Sequence, residues 1–241
     1  MMAQKYTISM DYFKCTTDHL TPIVKFPLIM GTGIKFSQIM FSFANRMNVQ
    51  LSTAVAAEKK HAIYESTLRL IKEFGFHGTP MSQIAQEAGV ATGTIYHYFS
   101  SKDDLIVELF RYSKEKMRKA IFKESEQALP YPTRFVTIWM NLVKHYIRHP
   151  EVLSFVEQFF SSPYVKIVYP ENAMCFQDEI SIFLKQGIEE GHIKPLDINI
   201  ISAAFIGTVS ATAKRHSNGR FTFEEEDLKK MVGIIWDGIK N

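Results

Sequence analysis

An all-α protein is what this sequence predicts, on three observations. Large apolar residues recur at i, i+3 and i+4 in stripe after stripe from Ile63 to Ile239. The stripes end at helix-breaking residues, among them Gly75, Pro130, Pro150, Pro163 and Gly191. No segment alternates apolar and polar residues over the length of a strand, and there is no internal repeat or low-complexity tract.

The first helix is expected over about Ala54 to Phe74, with Ile63, Thr67, Leu70, Ile71 and Phe74 on one face. Gly75 and Gly78 end it. Thr79 is placed to cap a second helix starting at Pro80, whose missing N–H costs nothing at a first helical position. Ile84, Ala85 and Ala88 give that helix a small apolar face, and Ala85 permits close approach of a neighbour. Gly89 falls where the backbone leaves the helix, a position that favours left-handed dihedrals, and Val90 plugs the space behind it. A third helix follows from about Thr92 to Phe99, with Ile95 and Phe99 four apart on the buried side. Ser101 caps a fourth, whose Leu105, Ile106, Leu109 and Phe110 face inward. It continues to about Phe122 through Lys114–Lys119, read as a solvated face.

Five more stripes complete the chain. They are Phe135–Tyr146 up to Pro150, Val152–Phe160 up to Pro163, Ile180–Ile188 up to Gly191, a segment from about Asp197 to Arg215 and a seam from Leu228 to Ile239. The fourth of these is rich in Ile and small residues (Ala203, Ala204, Gly207), so it and the last suit a four-helix bundle between two copies, against the alternative of completing one chain's core.

The second and third helices, joined at Ala88-Gly89-Val90, have the form of a helix-turn-helix, in which the second helix enters the major groove of DNA. From Ala88 to Lys102 there is no Asp or Glu to repel phosphate. Thr92, Gly93, Thr94, Tyr96, His97 and Tyr98 are left to face outward, with short hydroxyls suited to phosphates or bases and Lys102 suited to a phosphate. Taken alone, such a pattern is also compatible with a small helical hairpin that has no nucleic-acid role.

The segment resembles the DNA-binding domain of TetR-type (tetracycline-repressor-like) regulators. Ile84-Ala85, Ala88-Gly89-Val90, Gly93-Thr94-Ile95-Tyr96, Phe99 and Ser101-Lys102 followed by Leu105 fall on that pattern in order and spacing, within residues 56–115. The resemblance implies a helix-turn-helix head, a ligand-binding helical body and a homodimer. It implies backbone contacts for Tyr96 and Lys102, and places Thr92, Thr94, His97 and Tyr98 near bases or phosphates. Two positions depart from the pattern. Ala91 stands where a capping Ser is common, so Thr92 is expected to take the cap. Met81 and Ser82 stand where a longer basic residue would reach phosphate, so a contact there falls to the shorter Ser82. The expected domains are an extension over 1–53, the head over 54–101 and the body over 102–241.

Composition fits this reading without adding to it. The net charge of +3 arises within residues 1–53, where five basic residues meet two acidic ones; the remainder carries 23 of each sign. Two cysteines provide neither a disulfide framework nor a metal cluster, in keeping with the cytoplasm. No charge-free apolar run is long enough for a membrane span. Residues 1–53 admit three readings: a start assigned too early, with Met47 as initiator, which is preferred; a disordered arm reaching DNA through its lysines; or an extra helix around Phe36, Ile39, Met40 and Phe43.

The middle helices are thick with large apolar groups, and Trp139, Phe155, Phe159, Phe176 and Phe183 are the candidate lining of a pocket for a lipophilic or aromatic effector, with Glu157, Gln158 or Gln177 to orient it. His145 and His149 lack a third ligand and are read as a surface pair. No nucleophile elbow, phosphate-binding loop or H-E-x-x-H arrangement supports an enzyme, and no cofactor is expected. The expected function is a ligand-responsive repressor that binds double-stranded palindromic DNA as a homodimer. An activator, or an interaction protein regulating a protein partner on a DNA scaffold, is the alternative.

Overall fold

The structure, a computed structural model, describes residues 36–123, 126–169 and 179–241. Phe176 and Gln177 lie outside the described residues. The described residues form ten helices: α1 (Phe36–Phe74), α2 (Met81–Glu87), α3 (Thr92–Tyr98), α4 (Lys102–Ile121), α5 (Tyr131–Arg148), α6 (Pro150–Phe160), α7 (Tyr164–Val168), α8 (Glu179–Glu189), α9 (Ile198–Ser217) and α10 (Glu225–Ile239). Among them the only β-type pairing is one antiparallel bridge between Ile193 and Lys240.

Residues 1–48 and 49–241 form separate units. The helix α1 starts at Phe36, well before the Ala54 expected from periodicity. No Gly or Pro interrupts residues 36–74, and the run Ala54–Lys60 is rich in good helix formers. Backbone propensity therefore extends α1 through a stretch that is almost wholly exposed from Val49 to Lys59 and leaves no apolar stripe to read.

One hydrophobic core runs through residues 63–239, from Ile63 on α1 to Ile239 on α10. At its centre lies α5, whose Phe135, Trp139, Leu142 and Val143 are fully or almost fully buried. Phe135 meets Phe205 of α9 edge to face at 5.1 Å and Trp236 of α10 at 4.9 Å. Tyr131, at the start of α5, is stacked between Phe183 and His192 at 4.6 and 4.7 Å, and its hydroxyl donates to the Phe183 carbonyl at 3.0 Å. A Cβ at Gly187 would collide with that hydroxyl, so this α8 position must stay bare.

Several local expectations are corrected. Thr79 does not cap α2; it is buried, and its hydroxyl donates to the Gly75 carbonyl at 2.8 Å, tying the α1–α2 turn together. Pro80 occupies the N-cap instead. Thr92 is the first residue of α3 rather than its cap, and Ala91 caps it with no side-chain bond. Met81 is a core residue, whereas Phe74 and Phe160, expected inside, are nearly half exposed. The short α7 follows Pro163, where no helix was expected. Ser101 does cap α4, accepting from the Asp104 N–H at 3.1 Å.

Candidate nucleic-acid interface and ligand cavity

The short α3 is positioned by what it buries. Ile95 and Phe99 are fully buried, and Phe99 packs 5.6 Å from the ring of Tyr64 on α1. The α2–α3 corner is closed by Val90 N–H donating to the Ala85 carbonyl at 3.0 Å. Gly89 makes this turn possible with φ 65°, in the region L side chains avoid. A helix of seven residues is too short to be stable alone, so this corner and the two buried side chains hold it.

The remaining face points away. Thr92, Gly93 and His97 are exposed, and Tyr96 is 54% exposed. Ser82, at the start of α2, is exposed as well. Thr94 is half-buried. Tyr98 is only partly on the outward face: like Thr94 it is half-buried, and it packs against the core, with the Phe99 ring at 6.4 Å and the His97 ring at 5.4 Å in an edge-to-face arrangement. Seven residues make two turns, and the one following Ile95 by three falls partly on the buried side.

Lys102 is also placed differently from a free phosphate ligand. Its ammonium donates to the Phe76 carbonyl, half-buried, and burial lowers its pKa. That bond pins the α1–α2 connection to the start of α4, while an ammonium has two further protons to offer. Two contacts that the sequence did not reveal brace the same unit. Arg69 on α1 pairs with Glu87 on α2 at 3.1 Å, and Lys60 lies 5.3 Å over the Phe99 ring. Both join residues far apart in the chain, where no local pattern exists to find them.

The head is joined to the helices behind it through α6 and α7. Phe76 meets Phe155 and Tyr164 edge-on at 5.8 and 5.6 Å. Gln158 donates to the Ile71 carbonyl at 3.2 Å. Tyr164 donates to Asp103 at 2.7 Å; burial first, then that carboxylate, raise its pKa to about 12.

A cavity of about 660 Å³ opens between α4, α5, α6, α8 and α9, lined among others by Met117, Leu142, Tyr146, Leu153, Phe160 and Ile206. The expected lining is corrected here. Trp139, Phe155, Phe159 and Phe183 are buried core residues and take no part in it. Trp139 is held inward by its indole N–H, which donates to Thr208 at 3.2 Å, and Phe159 stacks on Phe110 at 3.9 Å. The cavity is lined by the neighbouring rows of the same helices, Leu142 and Tyr146 on α5 and Leu153, Val156, Glu157 and Phe160 on α6. Gln158 faces α1 rather than the cavity.

His145 is buried rather than paired on the surface, although His149 lies 5.0 Å from its ring. No group of three metal-ligating side chains occurs among the described residues. Its Nε2 and the Ser113 hydroxyl have no hydrogen-bond partner among the described residues, and both side chains line a water-sized cavity of about 20 Å³ between α1, α4, α5 and α6. Burial first, then the charges of His149, Arg148 and Lys116, lower the His145 pKa from 6.5 to about 4. As pH falls, the unfolded chain therefore takes up this proton first. The contribution of neutral His145 is complete above about pH 6.5 and is lost by about pH 4, a difference of up to about 3 kcal/mol. Urea unfolding at pH 7.5 and 4.5 checks this: His145→Gln should flatten the pH dependence, and an unchanged slope would contradict the assignment.

Residues 63–109 match the family described as "Bacterial regulatory proteins, tetR family", and residues 130–240 match "Tetracyclin repressor-like, C-terminal domain". An uncharacterized HTH-type transcriptional regulator of Haemophilus influenzae is 25% identical over 178 residues, covering 74% of this chain and 94% of that protein. The fatty acid metabolism regulator protein of Bacillus subtilis is 29% identical over 156 residues, 62% of this chain and 79% of the relative. Among solved structures, a TetR family transcription regulator from Marinobacter aquaeolei has the same fold, with a TM-score of 0.70 at 22% identity over 77% of this chain and 97% of that one.

Proposed function

The chain belongs to the TetR family of bacterial DNA-binding transcription regulators, and from that premise we propose that it is a homodimeric repressor released from a palindromic operator by a small ligand. Its relatives are regulators rather than enzymes. The head, residues 54–101, reads DNA in the cytoplasm, and the body, residues 102–241, binds ligand and partner.

The observation that carries the reading is the outward face of α3. It is acid-free, holds Thr92, Gly93, Tyr96 and His97 in the open, and is fixed from behind by Ile95 and Phe99. We assign Thr92, Thr94 and His97 to bases or phosphates and Tyr96, Ser82 and Lys102 to the backbone. Tyr98 contributes through its edge beside His97. Selection of bound duplexes from random oligonucleotides tests this: a palindrome with half-sites one helical turn or a multiple apart is expected, and sequence-independent binding would refute it.

A helix of seven residues reads few base pairs, so two copies are needed. The outer faces of α9 and α10 suit that role. Ile200, Ala203, Gly207 and Ala211 are exposed on α9, and Ile234 on α10 is 70% exposed. No atom lies within 4 Å of a Cβ built on Gly207, which leaves room for a second helix to approach. Gly207→Glu should place a charge in that contact and yield monomers by sedimentation, with operator affinity reduced more than tenfold. A dimer that survives the substitution would move the interface elsewhere.

The response to ligand is a population shift. A ligand in the cavity favours one setting of α6, whose Glu157 and Phe160 line the cavity while the adjacent Gln158 holds the end of α1. Movement of α6 thereby reaches the head, and with it the distance between the two α3 helices of the dimer. A lipophilic ligand fits the lining, and the metabolic role named for the Bacillus subtilis relative agrees with that.

A further inference from the structure

The charged groups at the rim of the large cavity are already engaged within the chain. Lys214 and Glu157 both line it and pair at 2.8 Å. Lys114 donates to the hydroxyl of Tyr169 at 3.4 Å and is not free either. Tyr169 in turn stacks 6.4 Å from Phe160, one turn beyond Glu157, so all three charges gather at one end. The floor is apolar and buried, formed by Leu142, Leu153, Val156 and Ile180. An ionic ligand would have to part the Lys214–Glu157 pair or lose its hydration against that floor without a partner, and both are costly. An uncharged ligand does neither.

A second observation gives that ligand a polar atom. Ser202 of α9 is buried in the cavity wall, and its hydroxyl has no hydrogen-bond partner among the described residues. Helical Ser and Thr hydroxyls can donate back to the carbonyl three or four residues earlier, as Thr208 on the same helix does toward Ala204 and Phe205. Ser202 makes no such bond, so its donor and its acceptor are both left for an occupant. Asn199, whose amide can likewise donate or accept, lines the cavity three residues earlier, on the adjoining turn of α9. A wholly apolar occupant would leave the Ser202 hydroxyl unbonded, a state that natural proteins seldom keep. One ligand oxygen placed beside it fills the need.

We propose that the cavity binds an uncharged lipophile bearing a hydroxyl or carbonyl oxygen, which bonds Ser202 with Asn199 beside it, while the hydrocarbon lies on the apolar floor. The inference rests on the ligand-responsive reading above and specifies the ligand of that site. Selectivity comes from two opposed costs. A hydrocarbon without the oxygen strands Ser202, and an ion in the same place is buried without a counter-charge. Lys214 cannot supply one, since it stands twelve residues from Ser202 on α9, about 18 Å at the helical rise, and is held by Glu157.

The test titrates dodecanol, dodecanoate and dodecyltrimethylammonium, each in its monomeric range, into the full chain by calorimetry, with operator binding measured in parallel. Dodecanol should bind at least about fivefold tighter than either ion, and Ser202→Ala should weaken it at least about fivefold. Thr212→Val is the control. Thr212 also carries a buried hydroxyl without a partner among the described residues, but it does not line the cavity, so dodecanol affinity should hold within about twofold. Each substitution removes an unbonded hydroxyl rather than a bonded one, so both variants should fold, and retained DNA binding shows it. The proposal is overturned if either ion binds as tightly as the alcohol, or if none of the three binds. It is equally overturned if Ser202→Ala leaves dodecanol affinity unchanged, or if Thr212→Val lowers it as much. Dodecanol binding that leaves operator affinity unaltered would instead strike the ligand-responsive reading and leave the site's chemistry standing.

Discussion

Replacing Thr92, Tyr96 and His97 together by alanine should abolish specific DNA binding while leaving the fold intact. All three side chains stand on the exposed face of α3. Surface substitutions of this kind usually change stability by no more than about 0.5 kcal/mol each. Each contact to a base is worth about 1–3 kcal/mol, and a dimer loses every contact twice. Even if only one of the three touches a base, affinity for the selected operator should fall by roughly 100-fold. Fluorescence anisotropy with operator and scrambled duplexes, alongside a thermal melt, measures both quantities. An unchanged operator affinity would remove α3 from the interface. Lys102→Ala provides the contrast, since its ammonium braces the Phe76 carbonyl. Losing that bond should cost about 1 kcal/mol of stability and weaken operator and scrambled DNA alike.

Trp139→Ala should be among the most destabilising single substitutions in the chain. The side chain is fully buried at the centre of α5, and its indole N–H donates to Thr208. Truncating a buried Trp costs about 3–5 kcal/mol, which for a chain of this size lowers Tm by roughly 6–20 °C. The hydroxyl of Thr208 still donates toward the carbonyls of Ala204 and Phe205, so the loss is one of packing rather than of a stranded polar group. A thermal melt reads the effect. It also separates the core assignment from the pocket assignment: a lining residue would instead change ligand affinity at nearly constant Tm. Phe160→Ala, on the cavity rim, should behave in that second way.

The head was legible in the residues because its logic is local. Gly89 needs a left-handed backbone, Ile95 and Phe99 are one turn apart, and Ser101 caps the next helix; each relation spans five residues or fewer. The outward face of α3 then follows by subtraction. Tyr98 escaped this reasoning because two turns of helix do not divide cleanly into an inner and an outer side. The cavity was not legible for a related reason. On α5 the rows carrying Trp139 and Val143 and those carrying Leu142 and Tyr146 are all apolar, so composition cannot say which row meets another helix and which meets a void.

Helical class, breakpoints and the acid-free face of α3 are thus properties of sequence order, since backbone propensity and side-chain period act over a few residues. The burial of His145, the Lys102 brace, the Lys214–Glu157 rim and the link from Gln158 to α1 came only with the packed chain. Each depends on distances between segments tens of residues apart, and those distances are set by how whole helices fill the core.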